Sequence, residues 1–314
     1  MSLPGVSIIG AGQVGATAAH LLALKGLADV TLIDVVEGLA QGKALDMSQS
    51  APIDGFPGSI HGSTDYDAMA GSRVVVVTAG LPRQPGMSRE DLLAANAKIV
   101  GPIAERIAAV APTAVIIVVT NPLDIMVALT LQRSRFPRQR VMGMAGVLDS
   151  ARLRTFIAQR LQVPPTDIQA MVLGSHGDLM VPLPSSVTVQ GRPITTRLRP
   201  EEIDQLFQRT REAGAEIVKL LKHGSAFYAP ASGVIEMAEA ILRDTRETLP
   251  VCAALEGEYG LRDVCIGVPA QLGANGIERI VEVALTPEER QGLSASAEKV
   301  RQGIKSLSTV QARA

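Results

Sequence analysis

Tryptophan is absent from this sequence, and only two cysteines, three tyrosines and five phenylalanines occur. Two cysteines cannot make a disulfide framework or a four-ligand zinc site. Cys252 and Cys265 are instead expected as buried thiols in adjacent strands, kept reduced by their compartment. An excess of charge is missing too: 30 basic and 31 acidic side chains nearly cancel. No Lys/Arg-rich run stands out, so nucleic acid and anionic membrane are excluded as expected partners. Mean hydropathy is +0.23, yet long apolar runs are lacking. Val74–Val77 and residues 114–119 fall far short of the about 20 residues that a spanning helix needs. The N-terminus has no basic stretch ahead of an apolar core and reads as the start of a strand, not as a secretory signal. The expected location is the cytoplasm.

What is present suits a globular protein of two domains. At 314 residues the chain exceeds the roughly 250–300 at which single cores stop growing. The first half alternates β-branched runs with helical periodicity. Strands are expected at 6–9, 30–33, 73–78, 114–120 and 140–145, with helices at 14–24, 38–49 and 88–109. Pro102 should kink or divide the last of these. This alternation is the pattern of a doubly wound parallel sheet. The second half differs. It opens with a helix at 149–160 and continues with short strands at 168–173 and 185–189. Amphipathic helices follow at 201–221 and 226–243, then antiparallel strands at 250–255, 264–269 and 276–283. Thr286-Pro287-Glu288-Glu289 starts a final helix with an N-cap, a first-turn proline and two acids. The fold class is therefore α/β, a Rossmann-type doubly wound sheet over 1–145 followed by an α+β substrate domain over 146–314.

Gly10-Ala11-Gly12-Gln13-Val14-Gly15 directly follows the first strand and opens a helix. The first glycine permits a tight turn, the second lets backbone approach a pyrophosphate, and the third lets helix and strand pack closely. Free N–H groups at the helix start can then hold phosphates. Asp34 ends the second strand, where an acid can accept from ribose hydroxyls. Its carboxylate would repel a 2′-phosphate, and Val35 and Val36 offer no arginine to receive one, so NAD is expected over NADP. A turn or helix cap is the plainer alternative for Asp34.

Such a fold does not specify chemistry. Tyr66, Tyr228 and Tyr259 are followed four residues on by Ala70, Ser232 and Asp263, so the Tyr-x-x-x-Lys relay of short-chain reductases is missing. Two cysteines cannot build the zinc site of an alcohol dehydrogenase. A histidine-dependent oxidation of a 2-hydroxy acid remains. His176 lies in a glycine-flanked turn, Gly174-Ser175-His176-Gly177-Asp178, and an imidazole near neutrality is a suitable base. Arg152 follows Asp149 by one helical turn, so both project from one face, whereas Arg154 is expected to point to solvent.

Four segments, in order, carry a resemblance to the lactate/malate dehydrogenase family across essentially the whole chain. They are the glycine turn with Asp34; Gly80-Leu81-Pro82-Arg83-Gln84-Pro85-Gly86-Met87-Ser88-Arg89; Thr120-Asn121-Pro122-Leu123-Asp124; and Leu148-Asp149-Ser150-Ala151-Arg152 with the His176 turn. The resemblance implies that His176 accepts the hydroxyl proton and that Asp149 orients it. It implies that Arg152 clamps the substrate's C1 carboxylate and that Arg89 polarises the C2 carbonyl. Asn121 is implied to touch both substrate and nicotinamide ribose, and Asn96 the cofactor. Thr78, Ala79, Gly80, Val119 and Thr120 fall at strand ends beside the cofactor cleft. An ordinary intrahelical Asp–Arg pair is the plainer reading of Asp149 and Arg152.

The composition of 80–89 suits a hinged lid. Lactate-specific members typically carry a neutral Gln where Arg83 stands. Here a guanidinium can pair with a second carboxylate, and burying either charge alone would be costly. Arg83 therefore points to malate and oxaloacetate, and Ala226 leaves room for them. Gln84 next door keeps lactate as the alternative, should the lid shift by one residue; a non-catalytic NAD-binding protein is the third. Ser175 departs from the acidic or glycine residue common before this histidine, with no chemical consequence expected. His20, His61 and His223 are read as structural, and no metal is expected. Family resemblance further implies a homodimer or homotetramer, with helix 38–49 a candidate for the interface, and a place in the tricarboxylic acid cycle.

Overall fold

A computed structural model describes residues 3–82 and 87–312. The first half runs β1 (Gly5–Ile9), α1 (Gln13–Leu24), β2 (Asp29–Ile33), α2 (Leu39–Asp54), β3 (Ile60–Ser63), β4 (Val74–Val77), α3 (Arg89–Val110), β5 (Val115–Val118), α4 (Leu123–Ser134) and β6 (Val141–Gly143). The second half runs α5 (Gly146–Leu161), β7 (Ile168–Gln169), β8 (Val172–Gly174), β9 (Met180–Pro182), β10 (Thr188–Val189), β11 (Arg192–Pro193), α6 (Pro200–Leu221), α7 (Tyr228–Leu242), β12 (Thr248–Glu256), β13 (Arg262–Gly273), β14 (Gly276–Ile280) and α8 (Pro287–Ala312). Among the described residues, no helix is long and apolar enough to cross a membrane.

The six strands of the first half lie parallel in the order β3-β2-β1-β4-β5-β6. The order reverses between β1 and β4, which opens a crevice at the carboxyl ends of those strands. Alternation explains the valine run of β4: Val74 and Val76 enter the core on one face of the sheet, Val75 and Val77 that on the other. A strand covered on both faces has no polar side.

The sheet does not stop at the end of the first half. Cys252 of β12 pairs with Gly143 of β6, and the sheet continues antiparallel through β12-β13-β8-β9, with β14 also on β13. Cys252 and Cys265 are buried free thiols in the neighbouring strands β12 and β13, as expected. A small sheet β11-β10-β7 sits apart, over a third core formed by residues of α5 and α6.

Several elements depart from the sequence reading. Helix α3 runs as one element through Pro102. Its buried face (Leu93, Ala97, Val100, Ile103, Ala104, Ile107) and its Ser88/Asp91 capping box offset the about 3 kcal/mol that an interior proline costs. Helix α2 extends past residue 49 to Asp54 and includes Pro52. The strand expected over 168–173 is two strands in different sheets, because at Met171 the backbone N–H donates to Ser186 Oγ at 3.2 Å and leaves the ladder. Pro184 opens a 3-10 turn over Pro184–Ser186, which shortens the strand expected at 185–189. The cap of α8 forms as read: Glu289 N–H donates to Thr286 Oγ1 at 3.2 Å, and Thr286 N–H to Glu289 Oε2 at 2.9 Å.

Candidate active site

The glycine turn between β1 and α1 is shaped by close approach. Gly10 has φ +108°, and a Cβ there would lie 2.6 Å from Ala79 N. A Cβ on Gly15 would lie 1.9 Å from Gly10 O. A Cβ on Gly12, by contrast, would meet nothing within 4 Å. The middle glycine thus faces open space at the start of α1, which has no side-chain cap and no acid in its first turn. An uncapped, positively polarised helix end beside a bare peptide fits a pyrophosphate. The residues present therefore suit a dinucleotide.

Asp34 fixes this turn from the position just after β2. Its Oδ2 accepts Ala11 N–H at 2.7 Å and its Oδ1 accepts Val36 N–H at 3.0 Å. The turn-capping reading of Asp34 is thus realised, and the carboxylate is held at the edge of the cleft. Sequence reasoning missed Lys43 of α2, whose Nζ donates to Ala11 O at 2.7 Å. It also missed Tyr66, whose phenol is raised by burial and then by the nearby Asp34 charge. Neither signal is local: both residues reach the turn from elsewhere in the chain.

Thr78, Ala79, Gly80, Val119, Thr120 and Asn121 come together where β4 and β5 end. Thr78 Oγ1 donates to Gly10 O at 2.9 Å, and Thr120 Oγ1 to Ala79 O at 2.7 Å. A Cβ on Gly80 would lie 2.4 Å from Thr120 Cγ2. Asn96, buried in α3, spends its polar atoms on this framework. Its Oδ1 accepts Leu81 N–H at 2.7 Å, and its Nδ2 donates to Leu81 O at 3.1 Å and to Asn121 O at 2.6 Å. The Asn121–Pro122 peptide is cis.

His176 sits in the turn after β8. Its Nδ1 is 2.8 Å from Asp149 Oδ2 on α5. Asp149 is buried at 1% exposure, and its Oδ1 meets Arg152 Nη1 at 3.3 Å. Burial works against a charged imidazole, but the charge and hydrogen bond of Asp149 outweigh it, so His176 lies above the usual histidine range. Arg152 opposes this shift and Asp124 adds to it. With Nδ1 committed, Nε2 is the ring nitrogen left for a ligand. Arg152 Nε is buried without a hydrogen-bond partner among the described residues. An incoming carboxylate is the kind of group that satisfies such an N–H.

Other arginines lie elsewhere. Arg89, at the start of α3, is ion-paired with Asp178 of the His176 turn, and both side chains are about seven-tenths exposed. Arg83 and Gln84 fall outside the described residues. Arg154 does not point to solvent as expected: it is half-buried, with its Nε enclosed and unpartnered among the described residues. The remaining histidines lie outside this cluster. His20 faces Asp54 at 3.8 Å, His61 is on the edge strand β3, and His223 follows α6. Among the described residues no metal-holding cluster of His, Cys, Asp and Glu occurs.

Ser175 has a consequence that sequence reasoning missed. Its Oγ donates to Asp124 Oδ2 at 2.7 Å, and the same oxygen accepts His176 N–H at 3.0 Å. Asp124 had entered only as the last residue of a motif, and no local pattern joins it to residue 175.

Residues 5–143 match the lactate/malate dehydrogenase NAD binding domain, and residues 146–310 the alpha/beta C-terminal domain of the same family. The chain is 53% identical to a malate dehydrogenase of Roseiflexus sp. (strain RS-1) over 304 residues, covering 97% of this chain and 98% of that one. Its fold is similar to the malate dehydrogenase of Salinibacter ruber, with TM-score 0.94 and 45% identity over 98% of this chain and 99% of that one. It is also similar to the Cryptosporidium parvum lactate dehydrogenase complexed with lactic acid and NAD, with TM-score 0.95 and 41% identity over 98% of this chain and 99% of that one.

Proposed function

The chain belongs to the lactate/malate dehydrogenase family, and we propose that it catalyses the reversible, NAD-dependent oxidation of (S)-malate to oxaloacetate. The observation that supports this chemistry is the hydrogen-bonded chain His176–Asp149–Arg152 about a buried carboxylate, read here as a base beside a carboxylate clamp. Residues 1–145 hold the cofactor in this reading, and residues 146–314 supply most of the substrate site. Bound NAD supplies the hydride acceptor. His176 takes the hydroxyl proton at Nε2 as the C2 hydrogen departs, and Asp149 stabilises the imidazolium from Nδ1. In the reverse direction the protonated ring returns it to the carbonyl oxygen. Arg152 binds the C1 carboxylate through the face left open beside its unpartnered Nε.

Arg89 reaches the C2 oxygen once freed from Asp178. Exposed ion pairs are worth only about 0–1 kcal/mol, so a bound substrate can exchange one partner of Arg89 for the other. Asn121 lies at the strand end where substrate and nicotinamide ribose meet. Asn96 acts by holding Leu81 and Asn121 in place.

Malate is preferred to lactate on two supports. Relatives more than half identical over nearly the full length bear the name malate dehydrogenase, and Arg83 supplies a cation for the distal carboxylate. Lactate remains the second reading, because the lactate dehydrogenase named above shares the fold. Steady-state assays with oxaloacetate and pyruvate decide between them. Arg83→Gln is expected to lower kcat/KM for oxaloacetate by about 100-fold while raising or sparing that for pyruvate. Equal oxaloacetate kcat/KM in both proteins would remove the dicarboxylate assignment.

The reading extends to assembly and location: a homodimer or homotetramer in the cytoplasm, serving the tricarboxylic acid cycle. Val35, Val36, Leu45 and Ile53 are large apolar side chains exposed on or before α2, which supports this helix as an interface. Free buried thiols at Cys252 and Cys265 support a reducing compartment.

A further inference from the structure

Asp124 is fully enclosed in the first turn of α4, and every polar group it meets belongs to the turn carrying His176 or to the strands behind it. Oδ2 accepts two hydrogen bonds, from Ser175 Oγ at 2.7 Å and from His176 N–H at 3.0 Å. Oδ1 is buried and meets no N–H or hydroxyl among the described residues; the Cys252 thiol, a weak donor, is the group that approaches this carboxylate. Ser175 is tied on its other side, its N–H donating to Ser296 Oγ of α8 at 2.8 Å. The turn therefore hangs between α4 and α8, with the imidazole itself gripped by α5.

We propose that Asp124 is a positioning residue for His176, holding it from the main-chain side as Asp149 holds it from the ring side, and that Ser175 fastens this grip. The proposal rests on the proton-relay role of His176 set out above.

An asparagine would keep the two hydrogen bonds but not the charge, and its amide N–H groups would meet only the Cys252 sulfur. A buried carboxylate met on one side by no more than a thiol is an expensive choice. What it adds is a negative charge against the segment that must carry a positive one during turnover. Burial holds Asp124 above the usual carboxylate range, although Ser175, the His176 charge, the Cys252 thiol and the His176 N–H each keep it lower than burial alone would. Its place in the first turn of α4 also favours the charged form. The groups that face this pair are few. Asp149 and Arg152 come from α5, Cys252 from β12 and Cys265 from β13. The thiols stay neutral, since burial pushes Cys252 well up and Cys265 to about 12. Asp178, on the same turn, is exposed and ion-paired with Arg89, so solvent screens its charge from the ring.

The test compares Asp124→Asn, Ser175→Ala and Ser175→Thr with the parent by NMR titration of the His176 ring and by the pH profile of kcat/KM for oxaloacetate reduction. Loss of the Asp124 charge is expected to lower the His176 midpoint by about one pH unit, moving the alkaline limb of the profile down with it. Ser175→Ala is expected to move both in the same direction, and Ser175→Thr, which keeps the hydroxyl, to restore them. A merely structural role would lower stability and leave both midpoints in place. Unchanged midpoints in Asp124→Asn and Ser175→Ala overturn the proposal; if Asp124→Asn does not fold, the Ser175 pair decides alone. The ring titration needs no turnover. A parent protein inactive on both oxaloacetate and pyruvate therefore counts against the proposed function, while the midpoint comparison still judges the grip.

Discussion

His20 and His176 each face a carboxylate, and the difference between them is solvent. His20 and Asp54 are 3.8 Å apart with side chains 39% and 35% exposed, whereas the Asp149 side chain opposite His176 is 2% exposed. Water screens the first pair almost entirely and leaves the second at full strength. In the proposed relay the reduction direction consumes a proton from His176, so its rate is expected to fall as pH rises through the raised midpoint of that ring. Removing the Asp149 charge lets burial dominate and lowers the midpoint. Asp149→Asn is thus expected to shift the alkaline limb of oxaloacetate reduction downward by about 1–3 pH units. A limb unmoved in the variant would mean that Asp149 only orients the ring. The same pairing has a signature in stability. Its contribution is complete at pH below the ordinary histidine value and is lost as pH rises through the raised one.

Elements whose cause is local were legible in the sequence. The glycine turn, the valine run of β4 and the Thr286 cap each follow from side-chain size, alternation or a capping oxygen, and each forms where the sequence placed it. What escaped was non-local. Lys43 on Ala11 and Ser175 on Asp124 join segments 32 and 51 residues apart, and no periodicity encodes such pairs. Asn96 shows the same divide: its presence near the cleft was legible, its saturation by Leu81 and Asn121 was not. Truncating it leaves three backbone groups without their partner, at a cost of about 1–3 kcal/mol in stability for each group that stays buried. In Asn96→Ala, amide exchange at Leu81 is expected to rise and the KM for both NADH and oxaloacetate to increase. Unaltered exchange at Leu81 would show that Asn96 does not anchor the base of the 80–89 segment.

On the scale of the molecule, the two halves share what holds them. One core gathers Val6, Ile8 and Leu32 from the first half with Val251, Ile266 and Val268 from the second, and the sheet crosses from β6 to β12. Neither half can lose its packing alone without exposing the other's. Calorimetry of the cofactor-free protein is therefore expected to give a single cooperative transition, and two resolved transitions would contradict the shared core. This rigidity also serves the proposed chemistry, because the cofactor turn lies between β1 and α1 while the proposed proton relay lies on α5 and the turn after β8. The relay is the central claim, and single-turnover reduction of oxaloacetate by the His176→Asn variant preloaded with NADH tests it most directly. The predicted result is a rate about 10²–10⁴ lower than in the parent, with NADH affinity by fluorescence titration unchanged. A rate within a few-fold of the parent, at equal NADH occupancy, would contradict it.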